Sequence, residues 1–587
     1  MKKLILLISL FLLSSCMEKE FSYNREKEIE DNIKNIFGVD FPKTQNWCTA
    51  VNSSIKVHTA ESTTKVQVLL SNVNDSISYL TLLNQSEVKK DNETISLTFD
   101  TPDAYTNLFI AFIDNNGQYF YKKFNIGDEE VYFEDKIHTT RAAASQNYTL
   151  PTNSPIIGET VESFASQRGW LPGEKFYIFE NQSIEANDYD ETFKEVFRSV
   201  IFNYFPNGRK YDNLPKIKKS GYYNESAYPI TTGDEPIIVS PVYKNDGGYY
   251  EISEAELYYY YFKGDLSREE IEALPKYKAL QLSDLYTNED NNRIGKSKSY
   301  VLAYWGDEIP EVGVEGSYQF PEGYKIGFMY KSNTTHYGNK RQGELYCDGR
   351  LNYNINNYCD FKNSKLDSED PRMAWMSVNS KMFLCVESGT DKDFNDLIVE
   401  VEGGIKPIII IPDEPEKQFY TFCYEDQRLG DYDMNDIVLK GTRLDETHVE
   451  WTLMATGAMD QLYIYNIEGE NIKSTIEVHD IFGKPGQFVN TSKNDNTPYI
   501  TDIVEVNKNY SFLDVTTQPY IYDKSKNWYV KIAKQGEDPH AIMIPYDFRW
   551  PLERICIKDA YSRFNEWGQG IIEETDWYKF PNEEKVY

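Results

Sequence analysis

Two hexapeptides of one form carry the strongest chemical signal in this chain. They read Asp391-Lys392-Asp393-Phe394-Asn395-Asp396 and Asp431-Tyr432-Asp433-Met434-Asn435-Asp436, and each runs into an apolar stretch. Side-chain oxygens at alternating positions, on a turn that feeds a strand, suit a hard cation such as Ca²⁺. On a tight turn, positions one, three and five (Asp391, Asp393, Asn395; Asp431, Asp433, Asn435) converge on one point, and the carbonyl of Leu397 or Ile437 offers a further oxygen. Asp396 and Asp436 supply a supporting hydrogen bond or another ligand. Glu387 and the pair Glu425-Asp426, at the ends of the preceding strands, are candidates for the remaining positions. An EF-hand is excluded, because position six is Asp where that loop needs Gly, and strand residues follow. The competing reading is an Asx-turn without metal. Three carboxylates within six residues repel unless a cation or donors offset them, and the duplication favours calcium at one or both loops.

No other constellation competes. Six histidines are scattered with no H-E-x-x-H, there is no G-x-S-x-G, and Gly295-Lys296-Ser297 lacks the upstream glycine of a phosphate loop. Glycoside hydrolysis needs only two carboxylates, so 93 acidic residues keep a polysaccharide-processing hydrolase as the alternative to a non-enzymatic protein. The net charge of −32 argues against nucleic acid and anionic membrane surfaces. There is no C-x-x-C. Cys347 and Cys359 are close enough for a loop disulfide. Cys385 and Cys423, just before the two motifs, read equally well as buried thiols.

The elements that must position these residues are mostly strands. The chain holds 46 Tyr, 31 Phe and 9 Trp. Tyr covers a half-buried sheet while keeping its hydroxyl wet, and it also stacks on sugars; strand packing is the simpler role. Residues 25–37 form an amphipathic helix, with Ile29, Ile33, Ile36 and Phe37 on one face. Short β-branched and aromatic runs then predict an Ig-like sandwich over 49–140, with a hairpin at Asn116-Gly117. A linker over 141–160 precedes an α+β unit over 161–402, which ends in the first motif. There Phe193, Val196, Phe197, Val200 and Ile201 have helical spacing, and Ser267 to Glu270 has capping-box form. A Gly/Pro-rich joint over 403–417 leads to a last β unit over 418–587, with strands expected at Glu450–Ala455, Leu462–Asn466, Trp528–Ile532 and Ile555–Ile557. The fold class is mainly β, as multidomain sandwich or jelly-roll-like units with a small α+β middle section.

The N-terminus is a targeting segment. Lys2-Lys3, an apolar run from Leu4 to Leu13, and Ser14-Ser15-Cys16 resemble a bacterial lipobox. That resemblance implies removal of residues 1–15, lipidation of Cys16 and a tether over 16–48. About ten apolar residues are too few to span roughly 30 Å of hydrocarbon, so the lipid is the only expected membrane contact. Glu18 and Glu20 loosely resemble surface-export signals of Bacteroidota lipoproteins.

A further resemblance covers roughly 415–580. Phe422-Cys423-Tyr424-Glu425-Asp426, then Gly430 through Asp436, resembles the LruC-domain lipoproteins of Bacteroidota. So do Pro539-His540-Ala541, Trp550-Pro551 and Ala560 through Trp567. Met434 departs from the usual Phe. The first motif, with Tyr324-Lys325-Ile326-Gly327-Phe328 upstream, is similar to a related uncharacterised β domain over roughly 300–402. These resemblances imply an outer-membrane, lipid-anchored, surface-exposed protein without established catalysis, which binds a glycan, a host surface or a partner protein. A fimbria-like structural subunit is a further alternative.

Overall fold

The computed structural model describes residues 25–74, 77–133, 148–162, 175–180, 182–206, 213, 217, 228–244, 256–281, 294–336, 339–352, 371–388, 392–571 and 575–587. Cys16, Asp391 and Cys359 lie outside these. Among the described residues the chain is mainly β, with six mostly antiparallel sheets and few helices.

Residues 49–133 form a sandwich whose three-stranded sheet (Thr94–Pro102, Ala50–His58, Glu130–Tyr132) faces a five-stranded one. Ile55, Val57, Leu97 and Phe99 meet Val66, Val68, Ile110 and Phe112 between them. Alternation alone suggests a sheet with one wet face, yet every residue of Leu108–Asp114 is buried. The reason is the helix Glu191–Tyr204. It lies on the outer face, so Phe109, Ala111 and Ile113 share a core with Val196, Phe197 and Val200. The joint after 403 takes part as well, with Glu416–Lys417 adding in parallel to the edge strand Ile77–Glu87.

The middle unit has two six-stranded sheets around one large core. In the strand Glu256–Phe262 the four consecutive tyrosines are buried on both faces. Tyr259 and Tyr261 donate their hydroxyls to the carbonyls of Ala303 and Gly306, which removes the cost of burying them. Tyr260 lies opposite Gly327, where a Cβ would sit inside the Tyr260 ring, so only glycine fits. The Ser267–Glu270 capping box forms as read, at the start of the short helix Arg268–Glu272. Cys347 is a free thiol whose sulfur accepts from Phe328 N–H at 3.3 Å, and its suggested loop partner Cys359 lies outside the described residues.

In the C-terminal unit a five-stranded sheet is built from Ile500–Glu505, His448–Ala455, Ile437–Arg443, Phe419–Tyr424 and Ala541–Ile544. It packs over a three-stranded sheet of Leu462–Tyr465, Tyr520–Asp523 and Trp528–Val530. Its other face is covered by residues from both ends of the chain. Phe37 and Trp47 pack there with Tyr432, Phe564, Trp567 and Trp577. Residues 25–37 are helical as expected, but 25–48 is a docked part of this core and not a free tether. Residues 555–557 do not form a strand. Ile557 opens the helix Ile557–Ala560, because its N–H is taken by the Tyr432 carbonyl at 2.8 Å.

Candidate metal centre in the paired acidic loops

Both acidic motifs occupy the same place in a hairpin. The first joins Lys381–Val386 to Leu397–Gly403, with Val386 opposite Leu397. The second joins Phe419–Tyr424 to Ile437–Arg443, with Tyr424 opposite Ile437. In each, a Glu directly follows the first strand and the final Asp directly precedes the second. The backbone conformation repeats too. Lys392 and Phe394 have φ of 64° and 61°, and Tyr432 and Met434 have 55° and 57°. Left-handed backbone at a residue with a Cβ costs about 1–2 kcal/mol, and tertiary contacts hold it here. Tyr432 and Met434 plug into the core above the sheet, while Phe394 plugs into the middle core beside Phe205. With these residues turned inward, Asp431, Asp433 and Asn435 are free to take another direction.

The strand-end Glu locks each loop. Met434 N–H donates to Glu425 Oε1 at 2.6 Å, and Phe394 N–H to Glu387 Oε2 at 3.2 Å. The closing Asp bonds back across the neck. Asp436 Oδ2 accepts from Asp426 N–H at 2.6 Å, and Asp396 Oδ2 accepts from Ser388 N–H at 2.6 Å. The amide groups of Asn395 and Asn435 donate to the carbonyls of Phe205 and Pro551 at 2.8 and 3.1 Å. Gly457 packs so close to Asn435 that a Cβ there would collide with its amide oxygen.

In the second loop, carboxylate oxygens of Glu425, Asp431 and Asp433 lie within 4.8 Å of one another. Glu425 and Asp433 are buried, and Asp431 is exposed and opens the cluster to solvent. Among the described residues no cation is ion-paired with any of the three. The nearby cations are engaged elsewhere: Arg428 on Asp538, Lys526 on Asp426. Burial and the charge of Asp431 push the Asp433 carboxyl up to about 8, and burial with Asp436 and Asp433 drives Glu425 well above the carboxylate range. Two buried oxygens nearby accept no hydrogen bond among the described residues, Asn435 Oδ1 and Glu553 Oε2. Such a site is electrostatically incomplete, and a divalent cation would complete it.

Asp426 does not join this centre. It points the other way, into a cluster with Asp460 and Asp523, where the Lys526 ammonium serves as a built-in cation at 2.9 Å from Asp426 and 3.0 Å from Asp523. The first loop gathers Glu387, Asp393 and Asp396 within the same 4.8 Å limit.

One segment escaped the sequence reading. The turn 551–554 caps the second loop: Pro551 accepts from Asn435, and Arg554 N–H donates to Asp433 Oδ2 at 2.6 Å. Nothing in the spacing singles out Glu553, whose carboxyl is raised by its own burial and by Asp431, which places it beside the cluster. The run Trp550-Pro551 was legible as a motif, whereas its contact with a loop more than 100 residues earlier was not.

Behind the loop, Asp538 is braced by Arg428 Nε at 2.6 Å, by the Tyr432 hydroxyl at 3.0 Å and by His540. Burial alone would raise this carboxyl, but the neighbouring His540 ring and the Arg428 guanidinium outweigh it and hold it down at about 2. A carboxyl depressed in the folded state contributes stability that is present above the unfolded value, near 3.9, and is lost as pH falls through the folded value. Between pH 5 and pH 2.5, wild type is expected to lose on the order of 1–2 kcal/mol more than Asp538→Asn. Urea midpoints of both proteins at the two pH values measure this.

Residues 464–578 match a family described as a domain of unknown function (DUF4842). The match begins beyond the second acidic loop, inside the first strand of the three-stranded sheet, and takes in the other two strands and Glu553. No curated protein and no solved structure matches the chain.

Proposed function

We propose that this chain is a non-enzymatic surface lipoprotein whose C-terminal unit is locked by calcium and which binds a ligand outside the cell. The observation that carries the cation is the convergence of Glu425, Asp431 and Asp433 with no positive partner among the described residues. An oxygen-only ligand set suits Ca²⁺, and extracellular sites of this kind bind at about 10⁻⁴–10⁻³ M. The lipobox-like Leu13 to Cys16 and the LruC-like residues supply the anchoring and the surface location. Eight residues lie between Cys16 and the helix at 25. At ~3.5 Å per residue they reach at most about 30 Å, so the lipid would keep the C-terminal unit close to the membrane.

The hydrolase alternative draws least from the carboxylates of the middle unit. A pocket of ≈ 260 Å³ is lined by Glu400 and Glu402. Both are tied to the buried Lys296 ammonium, and Lys381 also holds Glu400. A glycosidase needs one carboxyl to keep its proton, and two held by ammonium groups are poorly suited to that.

Tb³⁺ luminescence tests the cation. Tb³⁺ bound at the second loop is expected to be sensitised by nearby Tyr432, displaced by Ca²⁺, and lost in Asp431→Ala. Unchanged luminescence in that variant would remove the site. Metabolic labelling with palmitate, lost in Cys16→Ala, tests the anchor.

A further inference from the structure

We propose that the outer face of the three-stranded sheet in the C-terminal unit is a binding platform for acidic polysaccharide. This deepens the reading of the chain as a surface binding protein and rests on it. The sheet alternates strictly. Leu462, Ile464, Ile521 and Val530 point inward and are fully buried. Every aromatic partner in the opposite register is a tyrosine: Tyr463 pairs with Tyr522, Tyr465 with Tyr520, and Tyr522 with Tyr529. Five tyrosines therefore share the face turned away from the core.

The rings of Tyr465, Tyr520, Tyr522 and Tyr529 form one continuous surface. Tyr465 and Tyr520 stack at 5.2 Å and 12°, Tyr522 and Tyr529 at 4.6 Å and 27°, and Tyr465 lies 6.3 Å from both Tyr522 and Tyr529. Tyr529 keeps 53% of its surface exposed. The inward residues already supply the core of this sheet, so folding does not call for aromatic rings outside. Flat rings carrying wet hydroxyls suit the C–H face of a pyranose better than they suit an aliphatic protein surface. Tyr463 and Tyr465 stand about 7 Å apart along the strand, a spacing on the scale of one sugar unit.

Charge decides which sugar. The chain carries −32 overall, yet this face presents two exposed lysines. Lys531 Nζ lies 5.0 Å from the Tyr520 ring centroid and Lys524 Nζ lies 5.9 Å from that of Tyr463. Among the described residues neither is ion-paired, whereas Lys526 on the same hairpin is held by three aspartates. Two cations beside a stacking surface complement a polymer with widely spaced carboxylates or sulfates. Nucleic acid also stacks on aromatic rings, but its dense phosphates require a strongly basic groove.

Affinity electrophoresis of the full chain tests this, with polygalacturonate, hyaluronan and chondroitin sulfate as acidic probes and dextran as the neutral one. At least one acidic probe is expected to retard the protein, with dextran inert. Tyr465→Ser with Tyr529→Ser is expected to weaken retardation at least tenfold, and Lys524→Gln with Lys531→Gln to weaken it and flatten its salt dependence. Retained Tb³⁺ luminescence would show both variants to be folded and separates failure here from failure of the cation site. No retardation by any acidic probe, equal retardation by dextran or by oligodeoxythymidylate, or undiminished retardation of the tyrosine variant would each overturn the proposal.

Discussion

Adding 10 mM Ca²⁺ to EDTA-treated protein is expected to raise the melting temperature of the C-terminal unit by about 5–10 °C. A ligand at a hundred times its Kd stabilises by about 2.7 kcal/mol, which corresponds to a Kd near 10⁻⁴ M for a site of this type. In a unit of 150–250 residues each kcal/mol moves Tm by roughly 2–4 °C. The sharper result comes from Asp433→Asn. Without metal, Asp433 is a buried carboxyl raised to about 8 by burial and by Asp431, so neutralising it is expected to leave Tm in EDTA unchanged or higher. The same variant is expected to lose most of the calcium increment. If the loop were only an Asx-turn, losing the Asp433 charge that accepts from Arg554 N–H would lower Tm equally in both solutions, and calcium would do nothing to wild type. Scanning calorimetry in EDTA and in calcium separates the two.

The second large effect concerns the chain start. Trp47→Ala is expected to destabilise the C-terminal unit by about 3–5 kcal/mol, the range for a buried Trp truncated in a core. That is a Tm loss on the order of 10 °C. Trp47 is fully buried, donates its indole N–H to the Glu537 carbonyl at 2.8 Å, and packs on Phe41, Phe564 and Trp567. Phe37 meets the Tyr432 ring at 5.3 Å, and its carbonyl accepts from Asn565 at 2.9 Å. Deleting residues up to 48 would uncover this aromatic surface, and the product is expected to aggregate, whereas a chain starting at 25 is expected to stay folded. Expression yield and thermal melts decide between a docked segment and a tether. A deletion to 48 that melts like wild type would sink the docked reading. The contact also ties the segment nearest Cys16 to the acidic loop, since Asn32 donates to the Gly430 carbonyl at 3.4 Å.

Much of the fold was legible because its signals are local. The Asn116-Gly117 hairpin, the Ser267–Glu270 capping box and the helix around Val196 to Ile201 follow from turn chemistry and periodicity within a few residues. The paired motifs were legible as a repeat for the same reason. What failed was local reading of groups whose partners are distant. Ile555–Ile557 has strand composition, but a backbone bond to Tyr432 opens a helix there instead. Leu108–Asp114 reads as an ordinary sandwich strand, yet the helix Glu191–Tyr204 buries its second face. Adjacency in sequence groups Asp426 with Glu425, but successive residues at a strand end point to opposite sides, so one reaches the loop and the other reaches Lys526.

From order and spacing alone came the mainly β class and the identity of the oxygen-bearing loops. These depend on chemistry within a turn or a strand. Folding in space decided which carboxylates meet, which of them Lys526 neutralises, that the turn 551–554 brings Glu553 to the loop, and that the chain's start closes its end. Burial and charge compensation depend on distance through space, and residues a hundred or more positions apart acquire a distance only when the sheets pack.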